Sequence, residues 1–242
     1  MALQSKARTP EEMADYMTEL RAHLKESRDT PTEGMADFFA RRLDSYEDVH
    51  LGHWGGEYAH IADFFDEGLE NLLDIGCGTG LELASIYRRF PDVQVTGIDL
   101  SRDMLNRLEE KYRAKGIRLI QADYFQYPFA SGRYDAALSF ETLHHFPYEK
   151  KGGIYQKLFH ALKSGGYYVE CDYIACCAEE EALCLEQYHR RREKNGVPDG
   201  QLVHIDIPLT LDHQIELIRG AGFQRVDVRY ENSGTVILRA EK

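Results

Sequence analysis

The chain has 242 residues, and 29 Lys and Arg against 41 Asp and Glu give it a formal net charge of −12. That length is enough to bury the core of one α/β domain, or of a domain with a cap. The acidity argues against a large polyanionic partner such as RNA, and no window approaches the roughly 18 uninterrupted apolar residues of a membrane span.

Residues 1–6 lack the apolar core of a secretory leader, so a cytoplasmic location is expected. Two stretches then announce helices. Thr9-Pro10-Glu11-Glu12 and Thr30-Pro31-Thr32-Glu33 each join a hydroxyl cap, a proline at the first helical position and a glutamate three residues after the cap. The first predicted helix carries Met13, Tyr16, Met17, Leu20 and Leu24 on one face, and the second carries Met35, Phe38, Phe39 and Leu43.

From residue 69 onward strands and helices alternate. Strands are predicted near 70–75, 93–99, 117–122, 134–140 and 167–173, with helices near 81–90, 101–115 and 149–163. Pro91 stops the first of these helices, Ser101 caps the second, and Gly165-Gly166 closes the third after Lys163. Such alternation means a parallel sheet with helices on both faces. Residues 174–208 do not fit it. Glu179-Glu180-Glu181, a helix through Arg192 and a turn-rich loop over 195–200 read as an insertion. Thr210 then caps a helix through Ile218, and the runs 225–230 and 235–240 are close enough to be antiparallel neighbours. The expected organisation is a helical cap over 1–68 and a sheet domain over 69–242. The insertion joins the N-terminal helices as a lid over the strand C-termini, where open α/β sheets bind ligands.

The densest signal is Leu72 to Gly80, Leu-Leu-Asp-Ile-Gly-Cys-Gly-Thr-Gly. A buried strand ends at Asp74, and Gly76, Gly78 and Gly80 let the chain turn and let a ligand approach bare backbone. Asp99, followed by Leu100 at the end of the next strand, is placed to accept hydrogen bonds from ribose hydroxyls. The dinucleotide fingerprint wants its third glycine where this chain has Leu81, which disfavours a pyrophosphate. Asp74 suits an ammonium group rather than phosphates.

This stretch resembles the first motif of the class I S-adenosylmethionine-dependent methyltransferases, over Asp74-Ile75-Gly76-Cys77-Gly78-Thr79-Gly80. Later segments follow the same family in order. Gln121-Ala122-Asp123-Tyr124 resembles the segment in which an acid, here Asp123, meets the adenine amino group and a neighbour, here Tyr124, covers the ring. Arg133 to Phe140 resembles the fourth-strand motif, whose end at Ser139 and Phe140 passes beneath the methionine part of the cofactor. The resemblance implies a Rossmann-like, doubly wound, mostly parallel seven-stranded sheet with an antiparallel last strand. It also implies S-adenosylmethionine as cofactor and S-adenosylhomocysteine as product.

Methyl transfer is an in-line displacement at an activated carbon, so the protein mainly aligns the acceptor and excludes water. Glu141-Thr142-Leu143-His144-His145-Phe146 follows the fourth strand, where the methyl group should point. His145 resembles the histidine that orients amine or hydroxyl acceptors in related enzymes, while His144 and Glu141 are companion candidates. Asp172 and His204-Ile205-Asp206-Ile207 could also face the acceptor, and Tyr46, His50 and Trp54 could close over the sulfonium with their aromatic faces. Cys77, Cys171, Cys176, Cys177 and Cys184 show no Cys-x-x-Cys pairing, so reduced thiols and no metal site are expected. The leading expectation is methylation of a small molecule on oxygen, nitrogen or carbon. A methyltransferase of tRNA or protein is the alternative, and a non-catalytic nucleotide-binding module comes third. Monomer and homodimer both stay open.

Overall fold

A computed structural model describes residues 3–242; Met1 and Ala2, part of the segment read against a leader, lie outside them. Its strands are β1 (Asn71–Ile75), β2 (Gln94–Asp99), β3 (Arg118–Gln121), β4 (Tyr134–Phe140), β5 (Leu162–Tyr173), β6 (Arg225–Asn232) and β7 (Thr235–Glu241). Its helices are α1 (Pro10–Glu26), α2 (Met35–Arg41), α3 (Leu43–His60), α4 (Leu83–Arg89), α5 (Arg102–Lys111), α6 (Tyr148–Ala161), α7 (Ala178–Lys194) and α8 (Leu211–Gly220). The strands make one seven-stranded sheet in the order β3-β2-β1-β4-β5-β7-β6. All neighbours from β3 to β5 are parallel and β7 is antiparallel, as expected, and it enters between β5 and β6.

Burial on both faces explains why β1 and β4 read as continuous apolar runs. Successive side chains of a strand point to opposite faces. Leu73, Ile75 and Ala137 therefore pack with Ile154, Tyr155 and Leu158 of α6 and Ile218 of α8, while Leu72, Ala136 and Leu138 pack with Leu83 and Ile86 of α4 and Leu105 and Leu108 of α5. The parallel strands end on the same side, and the functional loops leave from there.

Helix α1 has the predicted reciprocal cap. Glu12 N–H donates to Thr9 Oγ1 at 3.2 Å and Thr9 N–H to Glu12 Oε2 at 2.8 Å. The second predicted cap does not form, and α2 begins at Met35 with Gly34 as its uncapped N-cap residue. Tertiary pairing wins there. Met35 N–H donates to Leu202 O at 3.0 Å and His204 N–H to Glu33 O at 3.1 Å, while the Glu33 carboxylate turns to Arg42. The N-terminal helices are thus laced to the insertion, and α1 packs on α7, where Tyr16 and Tyr173 share Glu180. Gly165-Gly166 does not close a helix either. Helix α6 stops at Ala161, and the glycines lie inside β5, where the register breaks between Tyr134 and Ala136. Thr210 holds the N-cap position of α8 without a side-chain bond, its N–H donating instead to Glu181 Oε2 at 2.6 Å.

A buried acid on β5 gives the fold a pH signature. Glu170 accepts from Tyr155 Oη at 2.8 Å, from Tyr168 Oη at 2.6 Å and from Gln214 Nε2, and burial beside the Asp172 charge raises its pKa to about 7. The unfolded chain titrates this group near 4.3, so the native state holds the proton more tightly. The contribution is full below that value and is lost as pH rises towards 7. Buried Glu82, also raised to about 7, acts with the same sign. Urea denaturation should show unfolding free energy falling between pH 5 and 7.5, with a shallower fall in Glu170→Gln, which mimics the protonated acid. An unchanged slope in that variant would remove Glu170 from the account.

Candidate active site

The glycine turn after β1 is shaped by close approach. Gly76 has φ +67°, and a Cβ there would lie 2.3 Å from Thr142 Oγ1. A Cβ at Gly78, φ +47°, would lie 3.3 Å from the Tyr46 hydroxyl. Asp99 ties this turn to the next helix, since Oδ2 accepts from Gly78 N–H at 3.0 Å and Oδ1 from Ser101 N–H at 2.7 Å. Burial raises the Asp99 pKa and these N–H donors oppose the rise.

Two adjoining cavities at the strand ends share part of their lining. A narrow one is lined by Gly76, Asp99, Leu100, Asp123, Tyr124, Thr142 and His145. A wider one of about 250 Å³ is lined by Phe38, Phe39, Tyr46, His50 and Trp54 from the N-terminal helices, by Glu141, His144 and His145 after β4, and by His204 and Asp206 from the insertion. Phe39 and His145 belong to both. The segments read as a lid therefore meet over the strand C-termini and wall the larger space.

Most of the remaining candidates brace the cavities from behind. Asp74 is buried and lines neither; burial and the neighbouring Glu82 carboxyl push its pKa well above the usual carboxylate range. Cys77 points its sulfur at Gly97, where a Cβ would meet it at 2.8 Å. Ser139 Oγ lies 2.6 Å from Tyr168 Oη, and the Phe140 ring stacks on Tyr58 at 4.0 Å. At Gly80 a Cβ would lie 3.0 Å from Leu108 Cγ, so that glycine lets α5 approach. Asp123 lines the narrow cavity while its Oδ1 accepts from Phe125 N–H at 2.8 Å.

The turn after β4 is strained and charged. Glu141 takes φ +48°, a left-handed conformation that costs a non-glycine residue about 1–3 kcal/mol, and both of its carboxylate oxygens are buried without a partner. Asp172 at the end of β5 anchors the next residues, accepting Leu143 N–H at 3.0 Å and His144 Nδ1–H at 2.5 Å. Burial disfavours a charge on His144, but the Asp172, Asp206 and Glu141 carboxylates outweigh it and raise its pKa to about 9. His145 goes the other way. Burial and the charge of His144 lower its pKa, although its Nδ1 sits 2.9 Å from Asp206 Oδ1, off the line of a hydrogen bond. Ile207 N–H donates to His144 O at 2.7 Å and fixes the Asp206 segment, and the His204 ring stacks on Phe38 at 3.4 Å.

Sequence reasoning missed two parts of this wall. Phe38 and Phe39 read as an apolar core stripe, yet both face the cavity. Helix α3 was not predicted, because Gly52, Gly55 and Gly56 interrupt it and it kinks at Trp54. A signal was present. Tyr46, His50, Trp54 and Tyr58 recur every four residues, and in the structure their rings form one ladder, with centroids 4.0 Å apart for Tyr46–His50 and 5.1 Å for His50–Trp54.

Residues 72–166 match the family described as "Methyltransferase domain". Over 184 residues the chain is 30% identical to the ubiquinone/menaquinone biosynthesis C-methyltransferase UbiE of Desulfotalea psychrophila, covering 71% of this chain and 72% of that protein. It is 22% identical over 180 residues to a carboxy-S-adenosyl-L-methionine synthase of Nautilia profundicola, covering 69% of this chain and 76% of the relative. Among solved structures, human N-acetylserotonin methyltransferase in complex with S-adenosylmethionine superposes with a TM-score of 0.63 at 16% identity, over 95% of this chain and 69% of the human one, a likeness of fold.

Proposed function

The chain belongs to the class I S-adenosylmethionine-dependent methyltransferases, and from that premise we propose that its acceptor is a small molecule held in the 250 Å³ cavity walled by α2, α3 and the insertion. The size and position of that cavity at the strand ends carry the reading. It falls just below the usual span of ligand sites, about 300–1,000 Å³, and its walls are aromatic rings with a few convergent polar groups.

The residues present fit the cofactor. Gly76 lines the narrow cavity with bare backbone, and the Asp99 carboxylate opens on it beside Asp123 and Tyr124. When bound, S-adenosylmethionine supplies a methyl group on a sulfonium, ready for displacement. The protein's share is then alignment. His145 stands at the junction of the two cavities, where an acceptor atom would meet the methyl group. Its imidazole, kept neutral by burial and the His144 charge, receives a hydrogen bond or a proton from that atom. The stack of Phe38 on His204 and the rings of Tyr46, His50 and Trp54 hold the acceptor's apolar body and keep water out.

The charge of −12 supports a small acceptor over tRNA, because a polyanion needs basic groups to replace its counterions. A tritiated-methyl assay on a cell extract should place label in the small-molecule fraction. Robust labelling of purified tRNA, with affinity falling steeply as salt rises, would overturn this in favour of an RNA substrate.

A further inference from the structure

We infer that His144, His145 and Asp206 form a binding site for one divalent transition-metal cation, with an open coordination position facing the acceptor cavity. Their donor atoms all lie within 4.8 Å of one another. His145 Nδ1 is 2.9 Å and His144 Nε2 is 3.8 Å from Asp206 Oδ1. Two ligand atoms each about 2.1 Å from a tetrahedral zinc stand about 3.4 Å apart, so these separations bracket a coordination shell and need only small side-chain adjustments to close it.

The surroundings also match a ligand set. A metal-binding histidine usually donates its other ring N–H to a carboxylate, which fixes the tautomer and aims the free nitrogen. His144 does this, giving Nδ1–H to Asp172 at 2.5 Å and leaving Nε2, from which the cation would displace the proton to solvent, directed towards Asp206. His145 is 5% exposed, and its Nδ1 has no aligned hydrogen-bond partner, an unsatisfied buried group that a cation would satisfy. Asp206 is held near both rings by the bond from Ile207 N–H to His144 O. A second group, Glu141, His144 and Asp172, surrounds the same ring, but its His144 Nδ1 is already committed to Asp172.

Two imidazoles and one carboxylate suit Zn²⁺, Co²⁺, Ni²⁺ or Fe²⁺ rather than Mg²⁺ or Ca²⁺, which favour all-oxygen shells. Three protein ligands with one open position is the pattern of a reactive rather than a structural site. All three line the 250 Å³ cavity, so the open position would take an acceptor oxygen or nitrogen and lower its pKa. With the cation in place His145 serves as a ligand and the metal acidifies the acceptor; without it the imidazole takes the proton. Only the identity of that fourth ligand rests on the small-molecule reading.

The test uses Co²⁺ alone, added to chelator-stripped full-length protein with neither cofactor nor acceptor present. Calorimetry should show one equivalent bound, with visible absorption of a low-coordinate Co²⁺ that Zn²⁺ bleaches by displacement. Asp206→Ala changes a side chain that is 49% exposed, so the fold should survive, as retained S-adenosylhomocysteine binding will report, while Co²⁺ affinity falls at least about tenfold. Asp172→Asn, which touches none of the three ligands but His144, should weaken Co²⁺ by about 10–100-fold, with retained S-adenosylhomocysteine binding reporting that the turn it anchors has survived. Absence of saturable binding, or equal binding by the native protein and Asp206→Ala, would overturn the site. Because no acceptor is used, a finding that the enzyme methylates tRNA would leave this result standing, and a failure here would leave the small-molecule reading untouched.

Discussion

Asp99→Ala is expected to weaken S-adenosylmethionine binding by at least about tenfold, measured by calorimetry. The carboxylate opens on the narrow cavity where the ribose hydroxyls would lie, and a hydrogen bond to a charged group is worth about 1.5–3 kcal/mol, against 1.4 kcal/mol for each factor of ten. The substitution has a second cost. Gly78 N–H and Ser101 N–H lose their acceptor, so the glycine turn and the start of α5 are no longer tied together. Asp99→Asn should fall between, because the amide oxygen still accepts one bond while the amide nitrogen can only donate. Unchanged affinity in the alanine variant would mean that the ribose is held elsewhere.

That acid was legible because its surroundings are local in sequence. A strand, a glycine turn and a second strand end define the pocket floor within thirty-odd residues, and the register of β1 against β2 follows from burial of both. The antiparallel pairing of β6 and β7 was readable for the same reason, from the short link between the two runs, whereas the seven-stranded sheet came from the family resemblance. The walls of the larger cavity were not. The Thr30-Pro31-Thr32-Glu33 cap gave way to backbone bonds between residues 33–35 and 202–204, a pairing across a long sequence separation that no local pattern carries. Phe38 and Phe39 looked like core because an apolar face that lines a ligand cavity has the same spacing as one that packs on protein. Helix α3 was hidden by its glycines, since each lowers helix propensity by about 1 kcal/mol, and what restores the helix is its aromatic ladder. The cation site was invisible for a related reason. Its ligands come from two loops sixty residues apart, so no zinc-type spacing appears in the chain.

His145→Ala is expected to lower kcat by about a hundredfold or more while S-adenosylmethionine affinity is preserved, because the ring lines both cavities, where under the proposed function an acceptor would meet the methyl group, whether it takes the proton itself or holds the cation that acidifies it. His144→Ala should declare itself mainly in stability. Its ring is the charge partner of buried Asp172, and removing one member of a buried pair costs about 3–5 kcal/mol because the other charge is left uncompensated. Asp172 also anchors Leu143 N–H and Tyr173 N–H, so an unpaired carboxylate there disturbs both the turn after β4 and the end of β5. His145 has no such dependent, since its neighbour Asp206 is half exposed and can be solvated. Thermal denaturation beside single-turnover kinetics separates the two roles: a large fall in melting temperature for His144→Ala, and a large fall in rate at nearly native melting temperature for His145→Ala. Equal losses of stability and rate in both variants would make the pair a structural brace and move the acceptor-facing role to another polar group of the cavity wall, such as His204 or Glu141.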